Sequence, residues 1–310
     1  MRTSYILAVS LFILLLSVSL SRAQGDMPKL RTQVILLGTG TPNPDPEHSG
    51  PAVAVVVDDQ AYLVDAGAGV VRRAAQLSPR YGGSVDALAA RKLTRLFLTH
   101  LHSDHTVRLP DIMLTPWVMG RDVPLEIYGP EGTAEMIAHL QKAYREDVRY
   151  RLYGEEPAND QGWRTSVHEV FEGEVYRDSL VRIEAFPVVH GSWPVSLAYR
   201  FTSPDRVIVI SGDTRPSATI EEISRGADVL VHEVYYARGL REGRREAWRA
   251  YHQAHHTSTH ELGRIAAAAR PKLLVLYHIL SWGASKQDLL DEIAEEYDGR
   301  AIVGQDLGIY

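Results

Sequence analysis

Three histidines and one aspartate fall within six positions of the stretch FLTHLHSDHT, as His100, His102, Asp104 and His105. Imidazole and carboxylate groups are ligands of Zn²⁺ and of related divalent metals. The apolar run LTRLFL before them reads as a strand, so the four groups arrive together at a strand end, on what the pattern predicts to be an exposed loop. In extended backbone, residues two apart point the same way. His100 and His102 can therefore grip one ion, and Asp104 and His105, just beyond, a second.

Four ligands do not complete two tetrahedral sites. Three further positions repeat the theme of a β-type apolar run closing on a ligand residue: EAFPVVH at His190, VIVISGD at Asp213 and LLVLYH at His278. A lone histidine at a strand end is more often structural. Together, the four runs put ligands at four strand edges that can converge on one rim.

Those edges need a scaffold. TQVILLG, AVAVVVD and AYLVDAG read as strands, with Asp58-Asp59-Gln60 as a hairpin turn. VVRRAAQL reads as a helix, KLTRLFLTH and LEIYG as strands. TAEMIAHLQKAYRED reads as a helix with Glu131-Gly132-Thr133 at its cap, and residues 148–165 as a loop. SVHEVFEG, LVRIEAFPVVH, VSLAYRF and RVIVISGD are four more strands. ATIEEISRG, DVLVHEV, THELGRIAAAA, KLLVLYH and KQDLLDEIAEEY then alternate helix and strand. A strand-rich, antiparallel-leaning first half and a strand–helix second half suit two sheets with helices outside. Periodicity alone does not choose their topology.

The chain has 310 residues, 45% hydrophobic and 23% charged, ordinary for a soluble globular protein. No repeat or long linker divides it. Cysteine is absent, which excludes disulfides, thiolate metal sites and cysteine nucleophiles. Residues 1–23 carry Arg2, an apolar core and the small residues Ser21 and Ala23, the pattern of a secretory signal peptide cleaved before Gln24. A retained anchor is the alternative, but the core is short for a spanning helix of about 20 residues. Cleavage implies a periplasmic or secreted protein with no stable membrane insertion, its domain spanning 24–310. Loss of Arg2 and Arg22 moves the formal charge from −6 to −8. Such a chain has no broad electrostatic pull on nucleic acid.

The run His100-Leu101-His102-Ser103-Asp104-His105 resembles the signature of the metallo-β-lactamase superfamily, and His190, Asp213 and His278 follow in that family's order. LLGTGTP at 36–42, IYGPEGT at 127–133, HEV at 232–234 and HTST at 256–259 look most like its ribonuclease Z and phosphodiesterase branch. The resemblance implies an α/β fold, a four-layer αβ/βα sandwich, with two zinc ions at the rim. It implies that His100, His102 and His190 hold one ion, that Asp104, His105 and His278 hold the other, and that Asp213 bridges. Manganese or iron would suit the same nitrogen and oxygen ligands. Water bridging such ions loses a proton near neutral pH, which makes it a nucleophile. Asp104 could orient that nucleophile while ligating. The branch further implies that Glu233 orients His256, which protonates the leaving oxygen.

Ribonuclease Z proper carries a long arm that grips transfer RNA, between the counterparts of His190 and Asp213. Only 22 residues separate them here. The absent arm, the leader and the acidic charge point away from transfer RNA, toward an exported hydrolase of small esters, phosphodiesters first. A lactonase or arylsulfatase on the same metal core is the nearest alternative, ahead of a ribonuclease or a non-catalytic metal-binding protein. Dimers are common in this branch, so a homodimer is compatible with the resemblance. LLGTGTP lacks the third glycine of a dinucleotide loop, and no Gly-x-Ser-x-Gly marks a serine hydrolase. The arginine-rich stretch 237–256 reads as a solvated helix bordering the site, with an anion-recruiting lid as the alternative. His252, His255 and His260 read as non-ligands, although His255 could exchange roles with His256.

Overall fold

A computed structural model describes residues 31–156, 158–241 and 245–310. The expected leader and its cleavage point lie outside the described residues. Among the described residues no helix is long and apolar enough to cross a membrane.

Six strands form a first sheet in sequence order: β1 (Thr32–Gly38), β2 (Ala52–Val57), β3 (Gln60–Val64), β4 (Arg95–Phe97), β5 (Leu125–Gly129) and β6 (Thr165–Glu169). Seven form a second: β7 (Gly173–Arg177), β8 (Arg182–Val188), β9 (Ser196–Thr202), β10 (Val207–Ile210), β11 (Val229–Tyr235), β12 (Leu274–Leu280) and β13 (Ala301–Val303). Each sheet starts as an antiparallel meander, through β3 and through β10, and continues parallel. The second half of the chain is thus less purely strand–helix than its sequence implies.

Parallel neighbours require crossovers. In the first sheet these are α1 (Val70–Leu77), α2 (Ser103–Thr106), α3 (Leu109–Val118), α4 (Thr133–Ala143) and α5 (Arg145–Tyr153). In the second they are α6 (Ala218–Ile223), α7 (Ala237–Arg241), α8 (Glu246–His255), α9 (Thr259–Ala269) and α10 (Lys286–Ala294). The run AVAVVV of β2 is buried throughout, as a strand covered on both faces should be. Ala52, Ala54 and Val56 pack with Val70, Val71 and Ile112 of the outer helices. Val53, Val55 and Val57 face Ile183, Tyr199 and Ile208 of the other sheet. A third core seats Leu262, Leu289 and Ile293 against Val209 and Leu230. Helix, sheet, sheet, helix: these cores define the four-layer sandwich.

One expected loop is partly helical, and one further helix has no counterpart in the local sequence pattern. The segment expected to be a loop at 148–165 is helical through Tyr153, because the helix of 133–147 breaks at Tyr144 and resumes as α5. The further helix is α3, in which Pro110 suits the first turn but Pro116 breaks the hydrogen-bond ladder inside it. Pro116 has no N–H, which orphans the carbonyl of Ile112. Arg121 answers it: the buried guanidinium donates to Ile112 O at 3.0 Å and to Met113 O at 2.6 Å, and also to Leu93 O and Gly162 O. Burial pulls this guanidinium down to about 10, so carbonyl acceptors on several segments are what hold its charge. At α4 the cap arrives from β6: Glu169 Oε1 accepts from the backbone N–H groups of Gly132 and Ala134.

Candidate metal centre

The ligand types gather at one rim of the sandwich, each delivered by a strand. His100 follows β4, His190 follows β8 and Asp213 follows β10. His278 arrives differently from the expectation of a strand end, since β12 continues to Leu280. In the β11–β12 pairing Tyr277 faces Glu233 and Ile279 faces Val234, which leaves His278 as the extra residue of a bulge with φ of 44°. A bulge re-aims a side chain, and here it turns the ring to the rim. The cluster is also less open than a loop would be. His100 and His105 are fully buried, and Ser103–Thr106 coil into the single turn α2.

Three imidazole nitrogens converge first. His102 Nδ1 lies 2.9 Å from His100 Nε2 and 3.2 Å from His190 Nε2. The other nitrogens of those two partners are occupied: His100 Nδ1 is 3.0 Å from Thr99 Oγ1, and His190 Nδ1 donates to His255 O at 2.7 Å. Burial holds His100 well below the usual imidazole range and brings His190 down to about 4, so these rings are neutral, the form that binds metal. Trp193 packs against His102 with ring centroids 4.0 Å apart.

A second group lies alongside. Asp104 Oδ2 is 3.2 Å from His278 Nε2 and 3.5 Å from His105 Nε2. Asp213 reaches across, with Oδ1 3.5 Å from His105 Nε2 and Oδ2 3.5 Å from His278 Nε2. Burial opposes charge on Asp213, but His278 and His105 outweigh it and pull the carboxyl well below its usual range. Two of these trios, His100/His102/His190 and Asp104/His105/His278, offer donor atoms within 4.8 Å of one another, and a third joins Asp213 to His100 and His105. All seven residues singled out in the sequence are therefore brought together. His255 is not among them: its ring stacks on Tyr251, with centroids 4.1 Å apart.

Glu233 sits on β11, fully buried. Its Oε1 accepts from Thr257 N at 2.9 Å and Thr214 N at 3.3 Å, and its Oε2 lies 3.4 Å from His256 Nδ1. Burial and the neighbouring Asp213 push the Glu233 carboxyl well above its usual range, while burial brings His256 down to about 4. The two groups face each other across 3.4 Å, with no hydrogen bond to either atom from any other group among the described residues.

One residue of the centre escapes the sequence reading. Asp65, closing β3, accepts from Thr99 N at 2.8 Å and from Thr99 Oγ1, and its Oδ2 meets His105 Nδ1 at 2.8 Å. That bond fixes the tautomer of His105 and aims Nε2 at Asp104 and Asp213. AYLVD ends an apolar run on a carboxylate as VIVISGD does, so the signal that marks Asp213 also marks Asp65. Asp65→Ala is expected to weaken metal binding about 10–100-fold with the fold retained, checked by competition with a chelator.

A cavity of about 380 Å³ opens onto the cluster. It is lined by His102, Asp104, His190, Asp213 and His278 of the cluster and by the rings of Trp248, Tyr251, His252 and Trp282. No lysine or arginine lines it among the described residues. Arg249 borders a separate groove with Gln253 and Glu261, so the arginine-rich stretch presents aromatic rings to the site.

A sandwich of this order with a His/Asp cluster at the strand rim defines the class of metal-dependent hydrolases built on the metallo-β-lactamase fold. The family described as the beta-lactamase superfamily domain matches residues 60–279, and the chain belongs to it. Ribonuclease Z from Mycobacterium sp. (strain KMS) is 35% identical over 250 residues, covering 80% of this chain and 84% of that protein. The metallo-beta-lactamase fold protein YhfI from Bacillus subtilis superposes with a TM-score of 0.69 at 20% identity, covering 90% of this chain and 98% of its own. The short form of human tRNase Z superposes with a TM-score of 0.65 at 21% identity, covering 90% and 98%. Within the family the chain falls in the ribonuclease Z/phosphodiesterase-like branch, and it is a divalent-metal-dependent hydrolase.

Proposed function

We propose that this chain hydrolyses phosphodiesters at a two-zinc centre. The observation that carries the reading is the buried Glu233–His256 pair, set 4.0 Å from Asp213 through His256 Nδ1, at the edge of the donor cluster. Phosphodiesters expel a poor alkoxide, which needs a proton as it leaves. Lactones and β-lactams place less demand on such an acid.

The donor set fits zinc. Tetrahedral Zn²⁺ with ligands at about 2.0–2.1 Å separates neighbouring donor atoms by roughly 3.3 Å. The spacings of 2.9 and 3.2 Å in the histidine trio and of 3.2 and 3.5 Å around Asp104 bracket that value. His105 Nε2 and Asp213 Oδ1 are buried with no hydrogen-bond partner, as atoms awaiting a cation would be. His100, His102 and His190 would hold one ion, Asp104, His105 and His278 the other, and Asp213 both. Such ions, when bound, supply an activated water and neutralise charge on phosphoryl oxygens.

The chain's own residues do the rest. Asp104 is placed to orient the nucleophile. Glu233, anchored by two backbone N–H groups, holds His256 through Nδ1, so the opposite ring edge meets the leaving oxygen. As that oxygen takes a proton from the imidazole, Glu233 passes its own to Nδ1, and the carboxylate left behind is held by the N–H groups of Thr214 and Thr257. A cavity whose described lining holds no lysine or arginine suits a singly charged diester better than a dianionic monoester.

The curated relatives carry the name ribonuclease Z, which favours RNA as a second reading, since RNA is itself a chain of phosphodiesters. Against a transfer-RNA substrate stands the span between His190 and Asp213, filled by β9 and β10. The leader-like sequence of residues 1–23 supports the reading of an exported enzyme. The test is hydrolysis of bis-p-nitrophenyl phosphate by the purified protein, with metal content measured on the same sample. A precursor transfer RNA, p-nitrophenyl sulfate, a lactone and a cephalosporin run beside it. Zinc-dependent diester cleavage, lost in His102→Ala, is expected. Two bound metals with cleavage of another substrate alone would overturn the diester reading.

A further inference from the structure

We propose that the aromatic face of α8 is a subsite for a flat aromatic ring on one arm of the ester, an inference that rests on the phosphodiester reading above. Trp248, Tyr251, His252 and His255 recur at the spacing that places residues on one side of a helix. Three of them line the same cavity as the donor cluster. Arg249 and Gln253 face the separate groove, so the helix sorts its rings toward the cavity and its polar groups away.

These rings are not core. Trp248 and Tyr251 remain 45% and 43% exposed, although large aromatics gain most from burial. They are nonetheless held in place. The Trp248 indole meets the His252 ring edge-to-face at 4.5 Å, and His252 meets Trp282 in the same way at 5.0 Å. Tyr251 is stacked on His255, whose carbonyl accepts from His190. His252 lies 5.6 Å from His256, centroid to centroid, so the wall begins one ring away from the proposed acid. Fixed, partly exposed rings beside a reacting centre stack flat groups irrespective of their hydrogen-bonding edges. Among the described residues no lysine or arginine lines the cavity, so its aromatic rings are the large groups offered to an ester arm.

The test compares two non-hydrolysable probes of equal charge and near-equal bulk, benzyl(ethyl)phosphinate and cyclohexylmethyl(ethyl)phosphinate, in which both arms are joined to phosphorus through carbon. Each is titrated calorimetrically into the metal-loaded full-length protein. The flat probe is expected to bind about tenfold more tightly than the puckered one. In the double variant Trp248→Leu, Tyr251→Leu that ratio falls to about one, and in Trp248→Phe, Tyr251→Phe it is kept. Equal affinities in the unaltered protein, no binding of either probe, or a ratio that survives the leucine pair would overturn the proposal. The ethylphosphinate of 5′-deoxyadenosine, joined through carbon at C5′ and so not cleavable, is run in competition and names the source of the ring. Tighter binding than the benzyl probe assigns it to a nucleobase, weaker binding to a simple aryl ester. Because the titration reads no turnover, failure of the diester reading shows separately, as absent cleavage of bis-p-nitrophenyl phosphate.

Discussion

Asp213→Ala is expected to lower turnover by about 10³-fold and to reduce bound metal below two ions per chain. The magnitude follows from the several kcal/mol of charge stabilisation that such ions supply, at about 1.4 kcal/mol for each tenfold in rate. Asp213 reaches both halves of the cluster: Oδ1 lies 3.5 Å from His105 and Oδ2 3.5 Å from His278, and the same carboxylate shares one donor trio with His100 and another with His190. Removing it takes away the one carboxylate positioned to hold two ions at a fixed separation. Asp213→Asn keeps the size and loses the charge, and should behave like the alanine variant. Metal analysis and kcat on the same preparations decide it; two ions and undiminished turnover in either variant would refute the bridging role.

The same substitution carries a pH signature in the metal-stripped chain. Asp213 is held well below its usual range by His278 and His105. Burial works against charge on those two histidines, but Asp213 raises both. A depressed carboxyl stabilises the fold above its unfolded value, near 4, and that stability is lost toward acid. A raised histidine stabilises below its unfolded value, near 6.5, and that stability is lost as pH rises through the folded value. The unfolding midpoint of the stripped variant should therefore fall furthest below that of the parent between about pH 4 and 6.5. Equal midpoints there would mean that the cluster is not coupled through Asp213.

The ligand set was legible because metal chemistry restricts residue type and strand edges restrict position. HLHSDH on the heels of LTRLFL is dense enough to stand alone, and His190, Asp213 and His278 repeat one local pattern. Less legible was whatever depends on contacts between distant segments. The bulge that turns His278 is a mismatch between β11 and β12, which no local window contains. The helix α3 survives Pro116 because Arg121, five residues on, supplies donors to the orphaned carbonyl; propensity alone cannot see that repair. The aromatic wall was hidden by its neighbours, since the arginines of 237–256 drew attention to charge while the helical phase of Trp248 and Tyr251 decided what faces the site. Asp65 was available to the same rule as Asp213, and its role emerges only when Thr99 and His105 fold back onto it.

His256→Ala is expected to cut turnover of an alkyl phosphodiester by about 10²–10⁴-fold, the usual contribution of a general acid, with two metal ions still bound. The deficit should shrink as the leaving group becomes more acidic. A p-nitrophenolate departs without help, so bis-p-nitrophenyl phosphate should lose far less than a methyl or ethyl diester. The position of the ring makes the alternative concrete. His256 joins His190 and Asp213 in one donor trio and Glu233 and His278 in another, close enough to be a ligand itself. A ligand would behave differently on both counts: metal would be lost, and every substrate would slow by a similar factor. Glu233→Gln extends the test, because Gln keeps an acceptor for Thr257 N while it cannot return a proton to His256 Nδ1. It should reproduce the leaving-group dependence of His256→Ala in milder form, and the double variant should be little worse than His256→Ala, as expected of residues that act as a unit. Independent, multiplying losses would separate Glu233 from the proton path and leave it the role of a buried clasp between Thr214 and Thr257.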